Sequence, residues 1–250
     1  MNKEISINVN SLTKSYLSEN KLALNELTVN INKGEVFGFL GPNGAGKTTF
    51  FSILCGLFPP SSGTVNICGF DLVSQLESIK KFIGVVPQDI ALYSALSGRD
   101  NLLFIGRMYG VRGRELKLKV DELLTFFGFD NNRHKSVKTY SGGMKRKINL
   151  IGGLIHDPEV LLLDEPTVGV DVQTRNLIMD YLKKLNREKK MTILYTSHYL
   201  EQAESFCNRI AIVENGNVLR MGNPKDLILK ENLHSLEDLF LKLTGRKITS

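Results

Sequence analysis

Gly41-Pro42-Asn43-Gly44-Ala45-Gly46-Lys47-Thr48-Thr49 follows the compact apolar run Glu35–Leu40 and leads into the helical pattern Phe50–Leu57. The loop matches GxxxxGK[ST] at every specified position, between a buried-strand pattern and a helix pattern. Its glycines admit backbone angles that turn successive N–H groups inward to form an anion nest. The helix behind it offers its own free N–H groups to the same anion. Lys47 neutralises β- and γ-phosphates, and the Thr48 hydroxyl is a hard oxygen ligand suited to Mg²⁺. This order of elements predicts an α/β domain that holds a nucleoside triphosphate.

Outward from the loop, strands and helices alternate. Ile5–Val9, Leu27–Ile31, Val65–Cys68 and Ile83–Pro87 read as strands. From about residue 96 to 156 the apolar positions recur at helical spacing, in Asp100–Tyr109, Glu115–Phe127 and Gly142–Ile155, which predicts a helical insertion. Strands return at Val160–Asp164 and Thr192–Thr196. Ile210–Glu214 and Val218–Met221 flank Asn215-Gly216, a hairpin signal. The last segment carries a proline-started helix at Pro224–Lys230 and an amphipathic one at Ser235–Leu243. The expected domains are 1–222 for the α/β unit with its insertion and 223–250 for a short helical tail.

Val160-Leu161-Leu162-Leu163-Asp164-Glu165 puts two carboxylates at the end of an aliphatic strand. In open α/β sheets, ligands bind outside the carboxyl ends of the strands. Asp164 there reaches the magnesium shell, and Glu165 can polarise water for in-line attack on the γ-phosphate.

Composition narrows the classes. Of 250 residues, 42% are hydrophobic and 23% charged, as in globular chains rather than disordered ones. No stretch approaches 18 uncharged apolar residues, so no membrane span is expected. The N-terminal ten residues show no apolar core of a secretory signal. Cys55, Cys68 and Cys207 lack any CxxC spacing and read as free thiols of a reducing compartment. The net charge of +6 is compatible with nucleic acid, anionic lipid or nucleotide and selects none of them.

Tyr140-Ser141-Gly142-Gly143-Met144-Lys145-Arg146-Lys147 opens another helix, with Ser141 as N-cap and two glycines leaving the terminus uncrowded. One nucleotide in the Lys47 loop leaves this second anion site without a ligand. Here the sequence resembles the ATP-binding cassette (ABC) family, the nucleotide-binding subunits of ABC transporters. The segment is similar to that family's LSGGQ signature, with Tyr140 and Met144 in place of Leu and Gln. Met144 lacks the amide that the family's Gln supplies.

The resemblance covers about residues 3 to 222 and carries further expectations. The fold is a P-loop NTPase (RecA-like) core with an antiparallel β subdomain and an inserted helical subdomain. ATP is bound by Gly41 to Thr49, with Tyr16 resembling the aromatic that stacks on adenine. Ser141, Gly142, Gly143 and Met144 would contact ATP held by a second protomer. Gln88, after Val85-Val86-Pro87, resembles the Q-loop glutamine. With Thr48 and Asp164 it would serve Mg²⁺, and with Glu165 and His198 the attacking water. Asp171 in Gly169-Val170-Asp171 resembles the D-loop residue of the dimer interface. His198 resembles the switch histidine. The stretches Gly169–Gln173 and Ser197–Glu204 are most similar to ABC-2 type cassettes, many of which serve exporters.

The expected function is an ATPase subunit powering transport, a homodimer or sibling heterodimer. It would sit in the cytoplasm, peripheral to the membrane through a transmembrane permease subunit, with no nucleic acid partner. The alternative is an ABC ATPase with an assembly or nucleic-acid-linked role, supported only by the basic balance. A P-loop kinase or GTPase would leave the signature without use, and no guanine-reading NKxD occurs.

Overall fold

A computed structural model describes residues 4–16 and 22–245. Ten strands and nine α-helices follow one another among these residues. They are β1 (Ile5–Ser15), β2 (Leu22–Asn32), β3 (Val36–Leu40), α1 (Lys47–Leu54), β4 (Ser62–Ile67), β5 (Phe70–Asp71), α2 (Leu76–Ile79) and β6 (Ile83–Val86). There follow α3 (Gly98–Met108), α4 (Gly113–Phe126), a 3-10 turn at Val137–Thr139, α5 (Gly142–Leu154) and β7 (Val160–Asp164). The remainder is α6 (Val172–Lys189), β8 (Thr192–Ser197), α7 (Leu200–Phe206), β9 (Arg209–Glu214), β10 (Asn217–Gly222), α8 (Pro224–Lys230) and α9 (Leu236–Thr244).

Two sheets divide the strands. One has the order β2-β1-β4-β5 and is antiparallel throughout. The other has the order β10-β9-β3-β8-β7-β6, parallel from β9 to β6 with β10 added antiparallel at one edge. The central strands β3, β7 and β8 are buried at every position, which explains their unbroken apolar or small-polar sequence. Phe39 of β3 stacks on Phe50 of α1, with ring centroids 4.4 Å apart, and so fixes the loop between them from below.

Between β6 and β7 every regular element among the described residues is helical. Leu102, Leu116, Val120, Leu124, Ile148 and Ile151 bury the apolar faces of α3, α4 and α5 in one cluster. Arg99 clamps Asp121 with two hydrogen bonds of 2.8 and 3.1 Å, joining α3 to α4. In the tail, Leu236, Leu239 and Phe240 of α9 are buried in this same cluster.

The structure extends several sequence expectations. β1 and β2 run well past the predicted Ile5–Val9 and Leu27–Ile31, because pairing continues through the polar stretch up to Ser15↔Leu22. Helices α6 and α7 fall in segments read only as motifs. No helix of the described residues is long and apolar enough to cross a membrane. The three cysteines are free, and burial pushes the Cys55 thiol up to about 12, which disfavours its thiolate.

Candidate active site

The Gly41–Lys47 loop gets its shape from its neighbours as well as its glycines. Gly44 and Gly46 sit at φ +79° and +104°. A Cβ at Gly46 would stand 2.5 Å from the Ala23 carbonyl, so only glycine fits there. The Lys47 ammonium donates to the carbonyls of Gly41 (2.8 Å) and Pro42 (3.2 Å), arching the loop over its own side chain. Asn43, Gly44, Gly46, Lys47, Thr48 and Thr49 line a cavity of about 500 Å³, which Tyr16, Gln88 and Glu165 also face. The Thr48 hydroxyl has no hydrogen-bond partner among the described residues, so it is free for a ligand. Ala45 is buried beneath the loop and tied to Gly216 through its carbonyl.

Glu165 is where the site converges. Its Oε1 accepts from His198 Nδ1 at 2.9 Å and lies 3.7 Å from Lys47 Nζ. Its Oε2 accepts from Gln88 Nε2 at 3.3 Å. Lys47 and Glu165 are only 6% and 7% exposed, so their attraction is weakly screened. Glu165 has φ +47°, an uncommon backbone state for a side chain with a Cβ, directly after the last residue of β7. That reversal aims its carboxylate at the cavity while Asp164 stays at the strand end.

Burial lowers the Lys47 ammonium below the ordinary lysine range, although Glu165 and Asp164 pull the other way. Burial likewise pushes the Asp164 carboxyl up; a hydrogen bond from Thr196 opposes this, and the neighbouring Glu165 charge adds to it. Thr196 is a functional residue the sequence did not reveal. Its hydroxyl donates to Asp164 Oδ1, and its oxygen also accepts from the Glu165 N–H at 3.2 Å. Gln202 of α7 is another, accepting from Thr167 (2.9 Å) and Tyr195 (3.2 Å), and so joining the loop after Glu165 to the strand before His198. For Thr196 the polar end of an otherwise apolar strand is the available signal.

Other predicted residues lie outside this cavity. Ser141 caps α5 by accepting from the Met144 N–H, and Asp171 caps α6 by accepting from the Thr174 N–H. The two caps are neighbours: a Cβ on Gly143 would stand 3.4 Å from Asp171 Oδ2, and one on Gly142 would stand 3.6 Å from the Gly169 carbonyl. Met144 packs, partly buried, against the main cluster. Tyr16, by contrast, faces the cavity, where it hydrogen-bonds the Thr49 hydroxyl at 3.3 Å and meets Phe58 edge-on.

A phosphate loop, a carboxylate contacted by Lys47, Gln88 and His198, and a capped glycine pair beside Asp171 thus belong to one fold. The ABC transporter family profile matches residues 24–168, more than half of the chain. The chain belongs to the ABC transporter family. It is an ATP-binding, ATP-hydrolysing cassette. This ABC cassette is 44% identical over 207 residues to the linearmycin resistance ATP-binding protein LnrL of Bacillus subtilis, covering 83% of the chain and 66% of LnrL. It is 41% identical over 211 residues to the Nod factor export ATP-binding protein I of Burkholderia lata, covering 84% of the chain and 69% of that protein. The cassette therefore spans about two thirds of the length of each of these relatives. Among solved structures, the dimeric post-hydrolysis state of the ATP-binding cassette MJ0796 bound to ADP and Pi superposes with a TM-score of 0.79 at 28% identity, covering 87% of the cassette and 98% of that chain.

Proposed function

We propose that this cassette powers an exporter, as one of two cassettes that close head to tail over two ATP molecules. The observation that carries the reading is the convergence of Lys47, Gln88 and His198 on one buried carboxylate, Glu165, at the mouth of the phosphate loop. An ionised carboxylate only accepts, so Nδ1 of His198 carries the proton and Nε2 is left to meet the nucleotide.

ATP binds with its phosphates in the Gly41–Thr49 loop and its adenine against Tyr16. Ser141, Gly142, Gly143 and Met144 of the partner complete the site, with Asp171 at the seam. The γ-phosphate attracts donors from both chains, and the dimer closes. Glu165 takes a proton from water as its oxygen attacks the γ-phosphorus and the bond to the β–γ bridging oxygen breaks. Loss of the bridging charge reopens the dimer. The free Thr48 hydroxyl and the Asp164 carboxylate, with Gln88 nearby, are hard oxygen donors that fit Mg²⁺, which would offset phosphate charge.

The reading places the cassette at the inner face of a membrane through a permease subunit. The segment after Gln88 offers a surface for it: Tyr93 is exposed, packs edge-on against Phe104, and has its backbone gripped on both sides by Asn101. The names of the relatives support export. The test is co-purification of the tagged chain from its own membranes. A multi-span partner whose presence stimulates ATP hydrolysis supports the reading. A nuclease-sensitive complex without a membrane partner contradicts it.

A further inference from the structure

Helix α5 carries two buried polar side chains that the ATP site described above does not use. Arg146 is 6% exposed and Asn149 5%. They lie three residues apart, on one face of the helix. Both point at a single atom, the carbonyl oxygen of Pro87: Arg146 Nη1 donates at 3.2 Å and Asn149 Nδ2 at 3.1 Å. A carbonyl has two lone pairs, and both are taken. The next residue is Gln88, whose amide donates to Glu165.

Arg146 forms no ion pair with a carboxylate among the described residues. A buried guanidinium in that state is costly unless hydrogen bonds and nearby charges offset its desolvation. The surroundings here are rigid. Gly84 of β6 and Gly153 of α5 meet backbone to backbone, since a Cβ on Gly84 would fall 2.0 Å from the Gly153 carbonyl. The strand that delivers Pro87 and the helix that delivers its two donors are thus pressed together with no side chain between them. The charges of Asp89, Asp164 and Glu165 favour the Arg146 cation against the effect of burial.

We infer that Arg146 and Asn149 are positioning residues that pin the Pro87 carbonyl and thereby hold Gln88 against the Glu165 carboxylate. The inference rests on the assignment of Glu165 as base. It also gives α5 a second role, because the helix capped by Ser141 reaches the hydrolytic carboxylate of its own chain through two donors and one carbonyl.

The test is a double-mutant cycle on the full chain, read as single-turnover ATP hydrolysis. Arg146→Met and Asn149→Ala are each made alone and on Gln88→Ala, and thermal melting identifies the folded variants. Each single variant is expected to lower the rate about tenfold, with the ATP concentration for half-maximal rate changed less than about twofold, since the Lys47 loop is untouched. On the Gln88→Ala background neither should lower it further. An unchanged rate in the single variants, or a full additional loss on Gln88→Ala, overturns the inference. If Arg146→Met does not fold, Asn149→Ala decides alone. Wild-type hydrolysis by Glu165→Gln would instead overturn the assignment of the base, whatever the cycle shows.

Discussion

His198 Nδ1 and Glu165 Oε1 are 2.9 Å apart, joining the loops that follow two adjacent parallel strands, β7 and β8. The contact fixes the imidazole tautomer and orients the carboxylate. Removing the ring leaves Lys47 and the phosphate loop intact. His198→Ala should therefore lower kcat by roughly 100-fold while changing ATP affinity by only a few fold. Steady-state kinetics alongside equilibrium binding of a fluorescent ATP analogue measure the two effects separately.

Asp164 shows the opposite balance between function and stability. Its carboxyl is held above the ordinary range, burial being the chief cause, so its ionised form is disfavoured in the folded chain. The sign follows: the unfolded chain loses this proton at lower pH than the folded one, so stability falls as pH rises between the two values. Asp164→Asn keeps an acceptor for the Thr196 hydroxyl and removes the charge. In nucleotide-free protein at pH 7 it should raise the melting midpoint, by about 2–4 °C for each kcal/mol relieved. The same variant should lose hydrolysis. Differential scanning calorimetry of both proteins is the measurement.

The α3–α4 clamp predicts an acid-side effect of the opposite sign. Hydrogen bonds from Arg99 hold the Asp121 carboxyl below its ordinary range. Its stabilisation is present above the unfolded carboxylate value of about 3.9 and is lost as pH falls through the lower folded value. Asp121 is more than one-third exposed, so the clamp contributes no more than about 1 kcal/mol. Asp121→Asn should unfold at lower urea concentration than wild type at pH 7, and the two midpoints should converge as pH drops below about 4.

The phosphate loop was legible in the sequence because its chemistry prescribes residue types at fixed spacing. The buried strands β3, β7 and β8 were legible because both their faces are covered. What escaped notice depends on contacts between distant segments. Thr196 reads as the end of an apolar strand, and only the fold sets its hydroxyl on Asp164. Arg146 reads as one more cation in a basic stretch, and only the approach of Gly84 to Gly153 brings Pro87 to it. Helix α6 has a signal of its own in the sequence, since Ile178, Met179, Leu182 and Leu185 recur at helical spacing. Asp171, which the resemblance assigns to a dimer interface, also does local work as the N-cap of that helix.

In the proposed mechanism, Glu165 removes the proton whose loss ends the ATP-closed state. Glu165→Gln keeps the size of the side chain and one of its two acceptor oxygens but cannot take that proton, and Gln88 can meet the new NH2 only by turning its own amide oxygen toward it. Size-exclusion chromatography with light scattering, in ATP and Mg²⁺ and paired with phosphate release, tests this directly. The expected result is a stable dimer retaining ATP, with hydrolysis reduced at least about 100-fold. A variant that stays monomeric in ATP, or that releases phosphate at the wild-type rate, would contradict it.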